Sequence, residues 1–123
     1  MNEQLTKNLI QKHNKIFNEK FNFECGDGWH ELIDNLCSKI QKLCDNRKSS
    51  QVKATKVKEK FGTLRFHIEN GSNEIFNLIY ETEAKSAKIC EITGKAGKTH
   101  VKEHLYKTIC PEKAKELGFK PIK

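Results

Sequence analysis

A thiol and an imidazole stand close together in Cys25-Gly26-Asp27-Gly28-Trp29-His30. A cysteine in a glycine turn at a helix N-terminus is favoured as thiolate. With a base in hydrogen-bond reach it can act as a nucleophile. The string supplies those two residue types but shows neither an exposed thiol nor an imidazole within its reach. His13, His67, His100 and His104 stand equally unanchored. No nucleophile–base–orienter set is legible, so the chain is expected not to be an enzyme and to take no small-molecule substrate.

A second set lies near the C-terminal end. Cys90-Glu91-Ile92-Thr93-Gly94 is followed by Cys110-Pro111-Glu112-Lys113. A zinc knuckle needs C-x-x-C-G and then C-x-x-C or C-x-x-H. Each half keeps its first ligand position, Cys90 and Cys110. Thr93 and Lys113 fill the second positions and bind no structural zinc. His100 and His104 lie between, on an expected strand and far from either turn. The reading is a degenerate, zinc-ribbon-like lobe over residues 85–123, held by packing and needing no cofactor. Cys90 and Cys110 remain as metal candidates. Five cysteines, an odd count, argue against a disulfide framework. Cys37 and Cys44 share a helical face and read as small apolar residues. No G-x-x-x-x-G-K-[ST] loop and no G-x-G-x-x-G string occurs, and Gly26-x-Gly28 is a lone pair.

The third set is cationic. Lys53, Lys56, Lys58, Lys60 and Arg65 fall on two expected strands, with Phe61 at the tip between them and His67 nearby. Such a hairpin can follow a phosphate backbone and stack a base. The competing reading is that the lysines guard the strands against edge pairing and that Phe61 is core. Lys98, Lys102 and Lys107 extend the cationic set into the C-terminal lobe.

The elements that must hold these residues follow from periodicity. Leu5, Leu9, Ile10, Ile16 and Phe17 predict a helix from Asn2 to about Lys20. Phe21-Asn22-Phe23 alternate briefly. Asp27 is the expected N-cap of a second helix. Trp29, Leu32, Ile33, Leu36, Cys37, Ile40 and Leu43 line one face of that helix. Strands are expected over 51–58 and 63–69, turned by Gly62. Ser72 or Asn73 caps a third helix with Ile75, Leu78, Ile79 and Thr82 inward. Strands over 88–92 and 99–109 and a short helix opening on Pro111 complete the order α-α-β-β-α-β-β-α. The fold class is α+β: one domain over 1–123, with helices packed on one face of a small antiparallel sheet.

Charge is uneven. Residues 1–38 carry −2, residues 39–66 carry +7, residues 67–84 carry −4 and residues 85–123 carry +6. Lys outnumbers Arg 21 to 2, and Arg is the residue that clamps phosphates bidentately. No apolar run reaches the ~18 residues of a membrane helix, and the first ten residues lack a signal-peptide core. The expectation is a soluble protein of the cytoplasm of a host bacterial cell, without membrane contact.

The strings Glu24-Cys25-Gly26-Asp27-Gly28-Trp29, Leu32-Ile33-Asp34 with Leu36-Cys37, and Val57-Lys58-Glu59-Lys60-Phe61-Gly62 with Leu64-Arg65-Phe66 carry a resemblance. They are similar to a group of small, mostly uncharacterised phage and prophage proteins bearing G-D-G-W, L-I-D-x-L-C and V-K-E-K-F-G-x-L-R-F ahead of a cysteine-rich knuckle. The likeness spans roughly residues 21–110, its specific motifs in the first half. The chain departs from it at Thr93 and Lys113. The resemblance implies a phage-borne protein that acts by binding a host protein or ribonucleoprotein. One such partner is a CRISPR effector nuclease, which holds RNA in a basic channel, so the chain resembles an anti-CRISPR protein in role. The alternative is a phage DNA- or RNA-binding accessory protein with a vestigial knuckle.

Overall fold

In the computed structural model, which describes residues 1–122, the chain forms four helices and two three-stranded sheets. Helix α1 spans Glu3–Lys12 and opens on Asn2, whose side chain accepts from the Leu5 amide. It stops well short of Lys20. At His13 the backbone leaves helical geometry and the ring turns to Asp34, Nε2 lying 2.7 Å from Oδ1. Ile16 and Phe17 are buried as expected, but from a turn. Their spacing therefore mimicked a continuing helix.

Strand β1 (Phe23–Glu24) follows, then a 3-10 turn over Asp27–Trp29 that leads into α2 (His30–Asp45). Asp27 does not cap α2. Its carboxylate accepts instead from the backbone amide and side chain of Asn2, at 2.6 and 3.2 Å, and fastens the N-terminus to this turn. The apolar stripe of α2 buries Ile33, Leu36, Cys37 and Ile40, as its period requires.

β2 (Lys53–Lys60) and β3 (Thr63–Glu69) pair antiparallel; β2 lies two residues later at both ends than the expected strand over 51–58, and β3 falls where expected. β1 pairs with β2 in parallel, Phe23 beside Val57 and Glu24 beside Lys58, so this sheet is mixed. Helix α3 (Asn73–Ser86) is capped by the Ser72 hydroxyl and runs a full turn past Thr82. Trp29, Ile33, Leu36, Val57, Leu64, Phe66, Ile75 and Ile79 form the core between α2, α3 and the inner face of this sheet. Phe17, Phe21 and Phe23 close one end, ring centroids 4.8 to 5.0 Å apart, a spacing at which aromatic pairs add to plain burial.

The C-terminal lobe differs in detail from the expected pair of strands. Residues 88–92 form only a single bridge, Ile89 to Ala96. The long strand over 99–109 is a hairpin, β4 (Lys98–Lys102) and β5 (Leu105–Ile109), broken where Glu103 takes φ 56°. Helix α4 (Pro111–Leu117) starts on proline as expected and ends at Gly118 in the left-handed region. β6 (Lys120–Pro121) then pairs with β4. Cys90, Ile109, Cys110, Ala114 and Phe119 make the lobe's own core. Among the described residues no helix is long and apolar enough to cross a membrane.

The His13–Asp34 contact gives the fold a pH dependence. Burial would raise the Asp34 carboxyl, but hydrogen bonds from His13 and Lys12 outweigh it and hold the group below the ordinary carboxylate range. Its folded pKa is thus below its unfolded one. The stability it contributes is complete above about pH 5 and is lost as pH falls through the unfolded and then the folded pKa. Urea midpoints measured from pH 7 down to pH 2 should fall below about pH 5, and Asp34→Asn should flatten that fall.

Candidate nucleic-acid interface

The β2–β3 hairpin turns on two residues with positive φ, Phe61 at 53° and Gly62 at 88°. That is the tight connection whose twist matches the flanking strands. Register then places side chains in facing pairs: Lys53 with Glu69, Lys56 with His67, Lys58 with Arg65 and Lys60 with Thr63. A bulge between Ala54 and Lys56 matters here. It leaves Ala54 and Val57, three apart, both facing the core, and Lys53 and Lys56, also three apart, both facing out. Simple alternation would have turned Lys56 inward.

The outward face therefore gathers Lys53, Lys56, Lys58, Lys60, Arg65 and His67. Its carboxylates are Glu24, 3.2 Å from the Lys56 ammonium, and Glu69 opposite Lys53. Lys58 and Arg65 face each other directly, like charges that cost stability in this position. Arg65 makes no ion pair among the described residues, and its Nε is buried without a hydrogen-bond partner. Phe61 is 66% exposed, which removes it from the core, and Lys60 Nζ lies 5.6 Å from its ring centroid.

The flanks of the β2–β3 hairpin are covered in part by other groups. The amides of Leu64 and Phe66 on the open side of β3 already donate to Ser86 Oγ and Glu83 Oε2, each at 2.8 Å. The other side of β2 is covered by β1, and the Ala54 amide donates to the Ile16 carbonyl at 2.9 Å.

The cations of the C-terminal lobe are placed differently. Lys107 reaches inward to Glu59 at 3.5 Å and Glu91 at 3.4 Å. Lys102 donates to the Leu117 carbonyl at 3.0 Å, closing the end of α4, and its ammonium lies 5.9 Å from the Phe119 ring centroid. Lys98 is exposed beside them on β4. The lobe's lysines thus divide between holding the fold and facing solvent, whereas the hairpin's form one face.

The glycine turn that suggested a Cys/His couple has a structural task. Gly26 N donates to Glu91 Oε2 at 2.9 Å, Gly28 N to the Glu91 carbonyl at 2.7 Å, and Trp29 Nε1 to the Ile89 carbonyl at 2.9 Å. The Glu91 amide in turn donates to the Thr108 carbonyl, and Thr108 Oγ1 to the Gly62 carbonyl at 2.6 Å. One seam therefore joins the turn, the lobe and the hairpin tip. Glu91, only 5% exposed, is its centre and was not singled out by sequence. A lone Glu between a cysteine and an isoleucine carries no signal of that role. The Cys25 thiol is buried, and burial first, then the Glu91 carboxylate, push it up to about 12. His30 lines a cleft of about 380 Å³ with Leu5, Asp27 and Glu31, and Cys25 does not.

In the lobe, Thr93 stands where a second ligand would. Its amide donates to Cys90 Sγ at 3.4 Å and its hydroxyl to Cys110 Sγ at 3.8 Å. Burial raises the Cys90 thiol, but the Thr93 hydroxyl and surrounding amides, those of Thr93, Cys110 and Ile92, leave it below its ordinary value. His100 and His104, both expected on one strand, do not share one. His104 falls in the β4–β5 turn, and His100 is buried with Nδ1 2.8 Å from the Lys98 carbonyl. Among the described residues no three His, Cys, Asp or Glu side chains are grouped to hold a metal ion.

No family model matches the chain, and no curated protein or solved structure matches it significantly.

Proposed function

We propose that this chain is a non-enzymatic binding protein that engages the RNA of a host ribonucleoprotein through the outward face of β2 and β3. On this reading it is a phage-borne inhibitor of an RNA-guided nuclease. The observation that carries the reading is the facing pair Lys58 and Arg65 on the outward face, with no ion pair to Arg65 among the described residues. Opposed cations cost folding stability. Phosphate oxygens would supply the acceptors that the fold itself does not, and guanidinium suits them geometrically. The resemblance to small phage proteins supports the choice of a host machine as target.

The test is co-purification of the full chain with a bacterial RNA-guided nuclease, with and without ribonuclease treatment. Capture of the intact particle that is lost after ribonuclease is the expected result. Capture unaffected by ribonuclease would place the contact on protein and overturn the RNA reading. Equal binding to the particle and to bare RNA would favour an accessory nucleic-acid-binding role.

A further inference from the structure

We infer that Phe61 is a stacking platform for one unpaired base, so that the strand taken by the hairpin is single-stranded RNA. This rests on the reading of the cationic face given above and narrows it to one class of nucleic acid.

Phe61 meets two local costs at once. Its ring is 66% exposed, and its backbone sits at φ 53°, where two-residue turns favour Asn or Gly. Neither feature contributes to the core. The turn that carries the ring is nonetheless held firmly. Gly62 N donates to Glu59 Oε2 at 2.8 Å, and the Gly62 carbonyl accepts from the buried Thr108 hydroxyl at 2.6 Å. Glu59 is itself steadied by Lys107. An exposed aromatic ring on a pinned turn presents a flat apolar surface at little further entropic cost, which suits a base.

Charge then defines the path away from the ring. The Lys60 ammonium is 5.6 Å from the ring centroid, placed for the phosphate next to a stacked base. Lys58 and Lys56 follow at alternate positions, about 6.7 Å apart along the strand. That is close to the phosphate repeat of an extended single strand. A duplex keeps its bases paired inside, so it can use the cations but offers the ring nothing to stack on.

The test is fluorescence anisotropy of the full chain with a labelled single-stranded RNA 12-mer and with the same sequence annealed to its complement. Phe61→Ala should weaken single-strand binding about five- to 150-fold, the range for one base–aromatic stack, and change duplex binding less than twofold. Phe61→Asn suits the left-handed backbone and separates turn strain from stacking. It should lose single-strand affinity as Phe61→Ala does. Phe61→Trp should restore binding, and its indole emission should be quenched by the single strand. Equal effects of Phe61→Ala on both RNAs, or no effect on either, overturn this inference alone. Failure of the unaltered chain to bind either RNA overturns the cationic-face reading and this inference with it.

Discussion

Arg65→Glu is expected to make the protein more stable and to weaken its binding to RNA in the same molecule. Arg65 faces Lys58 across β2 and β3, with Lys56, Lys60 and His67 as the other near neighbours on that face. A carboxylate there would turn a repulsive cross-strand pair into an attractive one, worth about 0.2–1 kcal/mol. It would also remove the buried Nε that now donates to nothing among the described residues. RNA binding should respond in the opposite sense. One phosphate contact is lost and a negative charge is set in the strand's path. Affinity should fall tenfold or more at moderate salt, and the salt dependence should flatten by about 0.7 in log–log slope. Denaturant midpoints and RNA titrations on the same preparation check both halves. A variant that loses stability while keeping affinity would mean that Arg65 serves the fold.

Gly28→Ala is expected to destabilise the fold more than a methyl added at any other glycine. A Cβ at Gly28 would overlap the Cys90 carbonyl oxygen and lie 2.6 Å from Gly94 N and 2.7 Å from the Glu91 carbonyl carbon. All of these are backbone atoms, so no side chain can swing aside. The lobe would have to lift off the turn, breaking the bond from Gly28 N to Glu91 and straining that from Trp29 Nε1 to Ile89. Overpacking in a core costs about 1–3 kcal/mol. A rigid backbone on the far side puts this case at or above the top of that range. Trp29 is the only tryptophan, so its fluorescence reports directly on the seam during urea unfolding. A midpoint within experimental error of the parent would show that the turn does not carry the lobe.

These two positions show what could be read from the chain and what could not. The hairpin was legible because alternation about Gly62 and a turn residue needing positive φ are both local signals. Helix α2 was legible from seven apolar positions on one stripe. The bulge at Ala54 to Lys56 was not, and it decides that Lys53 and Lys56 share the outward face. The end of α1 was hidden because Ile16 and Phe17 keep helical spacing while packing from a turn. The strand assigned to 88–92 failed for a related reason. Its backbone amides and carbonyls are spent on the glycine turn and on β5, as with Gly28 to Glu91 and Glu91 to Thr108. That partnership spans more than sixty residues, from Gly26 to Glu91, and no short-range pattern records it. The glycines themselves were visible, but a glycine pair looks the same whether it cradles a phosphate or another stretch of backbone.

The most direct measurement is the affinity of the full chain for a single-stranded RNA across a salt series from 50 to about 300 mM, a range in which phosphate contacts dominate. Engagement of Lys56, Lys58, Lys60 and Arg65 predicts a log–log slope near −3, at about −0.7 per contact. A slope near zero, or one unchanged by Arg65→Glu, would contradict the assignment of this face to RNA.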